Sequence, residues 1–328
     1  MTQNESRQRV YMELAVLAVL LLLPLGTASL YSAYYINSLA TRIAIFAIIL
    51  LGYDLAAGYT GLVSLGHAMF YGIGAYTAAL VLSSISDSLV VAMVVGIAVS
   101  TVIAVLIGFL STRLRGIYFA FLTLAFGQFF YLAAFNWVSL TGGENGLHSI
   151  PKVPLAIPGV LELDLSQSFN YYYFVIFLLA LSYLFCRRIV ASPFGKVLEA
   201  IKQNEGRAEL LGYDVRRYKR RVFAISGMLG GLAGTLFAEL QRFVAPDVLH
   251  WHLSGDLILM TWLGGVGTLI GPVIGGAVIL LFRDLLGSVF QQYWELFTGA
   301  LYMLFVLFSP RGIVGFVQTR WTKRRRTP

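Results

Sequence analysis

Long apolar runs separated by short polar stretches make up most of this chain. A helix needs roughly 20 apolar residues to cross a bilayer core, and only a helix satisfies its backbone polar groups there without water. Runs near that length predict about ten transmembrane helices, at residues 14–36, 39–57, 62–82, 88–110, 116–138, 170–189, 222–241, 255–271, 272–290 and 294–309. The first contains Pro24 and the eighth is short and glycine-rich, so either is a candidate for a kinked, broken or re-entrant segment. The pattern predicts an all-α polytopic membrane protein with one transmembrane domain over residues 1–328.

Composition supports the same class. Hydrophobic residues make up 58% of the chain, charged residues 12%, and the mean hydropathy is +0.77. Soluble domains carry about 25% charged residues, so a soluble globular protein is excluded. The chain has one cysteine, Cys186, so no intrachain disulfide is predicted.

The basic residues indicate an orientation. With a cytoplasmic N-terminus and ten crossings, 20 of the 24 Lys and Arg residues fall on the inner side and both termini are cytoplasmic. Arg42, Lys152 and Arg242 fall outside, and Arg283 lies within a span. This asymmetry is what the positive-inside rule requires. The net charge of +8 therefore indicates orientation and contact with anionic lipid, and no nucleic-acid partner.

Two polar loops interrupt the apolar sequence. Residues 187–221 form a basic cytoplasmic loop that a soluble partner can reach. Residues 140–169 form an extracytoplasmic loop rich in Pro and Gly, which favours a turn-rich cap over a folded domain. This outer loop is either a docking place for a soluble ligand-delivery protein or a plain connector between two spans.

No signature of catalysis, nucleotide binding or metal binding occurs in the sequence. The patterns GxxxxGK[ST], HExxH, CxxC and GxSxG are absent, so neither an enzyme activity nor a cofactor is predicted. His250 and His252 flank Trp251, where they are either metal ligands or packing residues. Three intramembrane charges, Asp54, Arg283 and Asp284, leave open a proton-coupled carrier, with Arg283 and Asp284 pairing to other helices and not to each other.

Six runs, in order along the chain, resemble the permease subunits of ABC importers for branched-chain amino acids, of the LivM type. They are GYTGLVSLGHAMFYGIGAYTAAL at 58–80, RGIYFAFLTLAFGQ at 115–128, LTGGENGL at 140–147, ASPFGKVLEAIKQNEGRAELLGYDVRRYK at 191–219, GMLGGLAGTLFA at 227–238 and LGGVGTLIGPVIGGAV at 263–278. Each run alone is ordinary glycine-rich apolar sequence. Together they cover most of the chain.

The resemblance implies an ABC importer permease fold in a bacterial inner membrane. It implies a second, similar permease subunit, two cytoplasmic ATPases and a periplasmic substrate-binding protein as partners. Within the cytoplasmic loop, the residues that look like the family's coupling helix, which docks on an ATPase, are Glu199, Ala200, Glu205, Gly206, Arg207 and Gly212. Glu205 and Glu209 lie four apart and are therefore expected on one helical face.

Two glycine clusters are candidates for close helix packing or for the moving parts of a transport pathway. Their residues singled out here are Gly61, Gly66, Gly267 and Gly271, together with the nearby His67. His67 is expected on an apolar helix, where it either makes a helix-to-helix hydrogen bond or serves the pathway.

The sequence thus predicts a permease subunit of an ATP-driven importer for branched-chain, hydrophobic amino acids. A related importer for urea, short amides or aromatic acids is the first alternative, and a proton-coupled secondary carrier is the second. An intramembrane enzyme is the most distant reading, since no nucleophile and base are paired.

Overall fold

The computed structural model describes residues 33–151, 155–157, 161–163, 167–289, 299–300, 303 and 312–315. Its α-helices in chain order are α1 (Ala33–Tyr53), α2 (Ala68–Ser84), α3 (Leu89–Ser111), α4 (Ile117–Asn136), α5 (Val138–Thr141), α6 (Ser168–Ala191), α7 (Pro193–Gln203), α8 (Glu205–Leu210), α9 (Val215–Gln241), α10 (Trp251–Gly264) and α11 (Ile270–Val289). A π-helical turn, Asp54–Gly58, continues α1, and short 3₁₀ turns cover Gly143–Asn145 and Pro246–Leu249.

Six helices in the described part of the chain are long and apolar enough to cross a membrane. They are α1 with its π turn, α3, α4, α6, α9 and α11, and the apolar α2 is shorter, at 17 residues. The chain is therefore a polytopic membrane protein. The spans predicted at 14–36 and 294–309 lie almost wholly outside the described residues, so the count of ten stays a prediction.

Helices α1 and α9 lie at the centre of the bundle. Helix α9 packs closely on α2 and α3, because its glycines leave room for side chains of those helices: a methyl group at Gly231 would lie 2.5 Å from Ser100 Cβ, and one at Gly230 2.9 Å from Phe70 Cβ. Small residues at such crossings bring helix backbones together in membrane proteins. The glycine run of α9 thus fixes how the helices around it are arranged.

The peripheral helices α3 and α4 turn apolar side chains outward. Val94, Leu106 and Phe129 are each about 60% exposed. Helices of a soluble protein would carry polar residues on such a face, whereas a lipid-facing helix carries apolar ones. These exposed faces are consistent with contact to lipid or to another membrane subunit.

Two predicted spans differ from the structure. The span predicted at 62–82 begins as a helix only at Ala68, because the backbone of residues 61–67 bonds to side chains of other helices. The span predicted at 255–271 is the 14-residue helix α10 followed by a turn, in which Gly265, Gly267 and Leu269 have positive φ. Positive φ cannot continue a right-handed helix, so the helix is broken there.

The loop of residues 140–169, predicted to be extracytoplasmic, contains a strand pair that the all-α prediction did not include. Leu155–Ile157 pairs antiparallel with Leu161–Leu163, with Leu155 opposite Leu163. Nearby, Leu147 and Val244 exchange two backbone hydrogen bonds of 2.9 and 3.0 Å, which tie this loop to the segment after α9. These bonds hold the loop near its start.

Candidate coupling site and interrupted helices

The predicted coupling helix is two helices. Pro193 begins α7 at a position where a missing N–H is harmless, and Ser192 caps it by accepting from Gly195 N at 3.4 Å. Asn204 interrupts the chain, and its side chain accepts from Arg207 N at 2.9 Å and so caps α8. Gly212, with φ of +87°, ends the segment. Glu199 and Ala200 therefore lie on α7, while Glu205, Gly206 and Arg207 lie on α8.

A small hydrophobic cluster gives this loop a core of its own. Val197 and Ile201 of α7 pack with Ala208 of α8 and Val215 of α9, and Tyr218 borders them. Lys196 and Glu199 lie on the outer side of α7 and pair with each other at 3.5 Å. The loop is therefore an ordered part of the molecule with a defined outer surface.

Ion pairs attach α8 to the membrane helices. Glu205 Oε1 lies 2.5 Å from Lys219 Nζ and 3.3 Å from Arg115 Nε, and the Lys219 side chain is only 4% exposed. Arg115 also donates to Glu209 at 2.8 Å. This hydrogen bond, followed by the charges of Glu205 and Glu209, raises the pKa of Arg115. The shared face predicted for Glu205 and Glu209 is confirmed, and it turns toward Arg115.

The outer surface of α8 is open and apolar at its end. Gly206, Arg207 and Glu209 line a shallow groove with Asn204 and Leu210. Leu210 is 90% exposed and Leu211 is 70% exposed, although both lie in a polar loop. Exposed apolar side chains in such a place are typical of a protein contact surface.

The irregular segment 61–67 is held by polar side chains of several helices. Leu65 N donates to Thr123 Oγ1 of α4 at 3.2 Å, and Ala68 N donates to Ser254 Oγ of α10 at 2.9 Å. Irregular backbone at membrane depth requires such partners, because no water replaces the lost helical bonds. Thr123 and Ser254 are site residues that the sequence analysis missed. Their only signal was a hydroxyl in an apolar run.

His67 precedes α2 and is fully buried, so the expectation of a histidine on a helix was wrong by one residue. Its Nε2 lies 2.6 Å from Ser226 Oγ, and Ser226 Oγ donates to Gly52 O at 2.6 Å. Because the serine proton is used on Gly52, His67 Nε2 is the donor to Ser226. His67 thereby connects the start of α2 to α9 and α1.

The four glycines of the candidate pathway or packing set fall into two groups. Gly61 and Gly267 have φ of +78° and +77°. A residue with a side chain adopts this left-handed backbone conformation only with strain, so both positions favour glycine. Gly66 lies against the backbone of Thr123, and Gly271 lies in the first turn of α11, where it donates to Thr268 Oγ1 at 2.9 Å. Close packing explains Gly66, and turn geometry explains Gly61 and Gly267.

Asp54 joins the two glycine clusters. The residue is completely buried in the π turn after α1. Its Oδ1 accepts from Gly267 N at 2.7 Å and its Oδ2 accepts from Leu269 N at 2.9 Å. Both carboxylate oxygens therefore bond to the turn between α10 and α11.

Arg283, another of the intramembrane charges, is also paired. Arg283 NH1 donates to Asp256 Oδ2 of α10 at 2.7 Å, and NH2 donates to Oδ1 at 2.5 Å. The prediction that Arg283 pairs with another helix is confirmed, although Asp256 had not been recognised as its partner. This pair joins α10 to α11.

The HWH triplet is a packing element in the described structure. His250 caps α10, accepting weakly from His252 N at 3.5 Å, and its ring packs against Tyr131 of α4 at 4.9 Å. Among the residues described, no group of three or more His, Cys, Asp or Glu side chains could hold a metal ion. Nothing in this geometry favours metal binding by the triplet.

The fold and the site define a multi-pass membrane protein with an ordered polar loop on one side of the bundle. The family described as "Branched-chain amino acid transport system / permease component" matches residues 35–307, and the chain belongs to this family. Membership of this family makes the chain a transport subunit.

Individual relatives agree with this assignment. The chain is 32% identical to the high-affinity branched-chain amino acid transport system permease protein LivM of Escherichia coli K12, over 84% of this chain and 69% of that protein. It is 30% identical to LivM of Salmonella typhimurium, with the same coverage. The corresponding permease protein LivH of Salmonella typhimurium is 26% identical over 82% of this chain and 91% of its own length. No solved structure matches.

Proposed function

We propose that this chain is one of two permease subunits of an ATP-driven importer for branched-chain amino acids in a bacterial inner membrane. Its relatives include both LivM and LivH, two permease proteins named for the same kind of transport system, which supports pairing with a second permease. Two cytoplasmic ATPases supply the energy, and a periplasmic binding protein delivers substrate at the loop of residues 140–169.

The observation that carries this proposal is the surface of α7 and α8. The loop has its own core and is attached inward by Glu205, so its outer side is free to receive a partner. Leu210 and Leu211 give that side an apolar centre, and Arg207 and Glu209 surround the groove with charges. An apolar centre with a polar rim is the usual composition of a protein interface. We assign this surface to the ATPase.

Gly206→Trp is expected to separate the permease from its ATPases. A methyl group at Gly206 would meet only Asn204 Oδ1, at 3.6 Å, so a larger side chain extends outward into the groove without disturbing the permease. The bulky ring then occupies the docking surface, and we expect at least about tenfold weaker association, since losses of 2 kcal/mol or more are typical of disrupted interface centres. The measurement is co-purification of the ATPases with the tagged permease, together with substrate uptake.

Two matched variants sharpen this test. Leu210→Asp should weaken association in the same way, because its side chain lies at the surface and its loss leaves the permease core intact. Ile85→Asp, which changes a residue that is 74% exposed in the connection from α2 to α3, should leave ATPase association unchanged. Wild-type association in both Gly206→Trp and Leu210→Asp would show that α8 is a linker and not the docking site.

The substrate assignment rests on the printed function of the relatives and on the chemistry of the bundle. Asp54, Arg283 and Asp256 are all engaged within the protein, so these three charges do not compete for the charged groups of a hydrophobic zwitterion. The test is competition: unlabelled isoleucine and valine should suppress uptake of labelled leucine by the assembled importer, while urea and phenylalanine should not. Suppression by urea or phenylalanine alone would favour the alternative importers.

We further propose that the glycine-rich turns at 61–67 and 265–269 are moving parts of alternating access. Both are irregular backbone inside a helical bundle, and in both a side chain of another element accepts from a backbone N–H group: Thr123 from Leu65 and Asp54 from Gly267. In transporters, interrupted helices of this kind surround the transport pathway.

Opposite labelling from the two sides of the membrane is expected for Gln203 and Asp87. Both residues are exposed, Gln203 at the end of α7 and Asp87 in the connection between α2 and α3. From the charge asymmetry of the chain we expect Gln203 in the cytoplasm and Asp87 outside. In a Cys186→Ala background, Asp87→Cys should react with an impermeant maleimide in intact cells, and Gln203→Cys only after permeabilisation. Equal reactivity of both would contradict the proposed orientation, in which both termini are cytoplasmic.

A further inference from the structure

A lysine of the cytoplasmic loop reaches the end of a central helix. Lys202 lies near the end of α7, and its Nζ donates to the carbonyl oxygen of Gly58 at 2.5 Å. Gly58 is the last residue of the π turn that continues α1, and helix ends leave carbonyl groups in need of external donors. The contact joins positions 144 residues apart in sequence.

The same turn of α1 also holds the break between α10 and α11. Asp54, four residues before Gly58, bonds to Gly267 N and Leu269 N. A methyl group at Gly267 would lie 3.3 Å from Gly58 O and 3.8 Å from Lys202 Nζ, so the three segments meet at one point. At Gly58 a methyl group would lie 2.7 Å from Gly267 N, which leaves no free space between the turns.

The place where Gly58, Gly267 and Lys202 meet has the geometry of a hinge, because two pairs of helices are interrupted beside it. Gly61, on one side, and Gly265, Gly267 and Leu269, on the other, have positive φ, and these residues interrupt α1–α2 and α10–α11. Helix α7 packs on α6, α8 and α9, and it extends to the end of α1 through the long side chain of Lys202. A shift of α7 therefore acts directly on the carbonyl end of α1 and, through Asp54, on the neighbouring turn.

We propose that Lys202 is a positioning residue that transmits movement of the ATPase-docking loop to the two interrupted helix pairs, α1–α2 and α10–α11. This inference rests on the proposed function, since it takes α7 and α8 as the place where the ATPase acts. The ammonium group holds the end of α1 in register with α7, so both move together when the docking loop is displaced. Without this bond, ATP hydrolysis continues while the turns no longer follow the loop.

The test is the ratio of leucine transported to ATP hydrolysed by the complete importer in liposomes. Lys202→Met keeps the length and the apolar stem of the side chain but has no donor for Gly58 O. We expect this variant to co-purify with the ATPases and to hydrolyse ATP, while the transport ratio falls roughly tenfold, as the loss of one charge-assisted hydrogen bond predicts. Lys202→Arg, which retains a donor, should recover a substantial part of the ratio.

Arg188→Met, which also removes an exposed positive charge, is the control. Arg188 lies in the last turn of α6, outside the surface of α7 and α8 that is assigned to the ATPase. Its replacement should leave the transport ratio unchanged. A wild-type ratio in Lys202→Met would overturn the inference, and so would loss of ATPase co-purification in that variant, because Lys202 would then belong to the docking surface itself. Failure of the docking proposal would be recognised by a different result, namely that the ATPases still co-purify with the Gly206→Trp and Leu210→Asp variants.

Discussion

Replacement of Gly66 by alanine is expected to destabilise the folded permease by about 3 kcal/mol or more, beyond the usual cost of overpacking a core. A methyl group at Gly66 would overlap the backbone carbonyl of Thr123, and the backbone of α4 cannot move away as a side chain could. Gly127 stands opposite, where its own methyl group would lie 3.2 Å from Gly66 Cα. The added atom must therefore separate the irregular segment from α4.

The measurement for Gly66→Ala is the yield of monodisperse protein in detergent and the temperature at which it aggregates. Gly255→Ala is the control, since no atom lies within 4 Å of a methyl group at Gly255 on α10. Alanine is the better helix former by about 1 kcal/mol, so this variant should be at least as stable as wild type. Equal stability of Gly66→Ala and Gly255→Ala would mean that α4 does not contact Gly66 in the folded protein.

The sequence was sufficient to predict the regular membrane helices. The spans predicted at 88–110 and 116–138 correspond to α3 and α4 within two residues at each end, because an uninterrupted apolar run has few other stable conformations in lipid. Helix ends were less predictable inside the bundle. The run from 62 to 67 is as apolar as its neighbours, and its break depends on Thr123 and Ser254, which lie 58 and 186 residues away from their hydrogen-bond partners.

The site formed by α7 and α8 was predicted in outline. The positions of Glu205 and Glu209 on one helical face followed from their spacing, whereas the direction of that face did not. It is set by Arg115 and Lys219, which come from the α3–α4 connection and from α9. The split of the coupling helix had a local signal, since Asn204 is a strong capping residue followed by a short helical stretch. Nothing in the sequence indicated the contact made by Lys202, because its partner is a backbone carbonyl that lies far away along the chain.

The structure also explains why a wholly buried acid is tolerated in the bundle. An acidic side chain at membrane depth is unfavourable unless its oxygens are bonded, and Asp54 bonds both oxygens to backbone N–H groups. Those N–H groups belong to a turn with positive φ, whose donors no helical carbonyl can reach. The Asp54 carboxylate and the N–H groups of the turn therefore satisfy each other's hydrogen-bonding requirements.

Replacement of Asp54 by leucine is accordingly expected to destabilise the protein by about 2–6 kcal/mol, since each buried N–H group left without an acceptor costs about 1–3 kcal/mol. Asp54→Asn should be intermediate, because its amide oxygen accepts one bond while its NH₂ group faces the second donor. The measurement is thermal unfolding of the purified permease, with the order wild type, then Asn, then Leu. Asp87→Asn, at an exposed position between α2 and α3, is the control and should unfold at the wild-type temperature. Unfolding of Asp54→Leu at that same temperature would show that Gly267 and Leu269 have other acceptors and that Asp54 does not hold the turn.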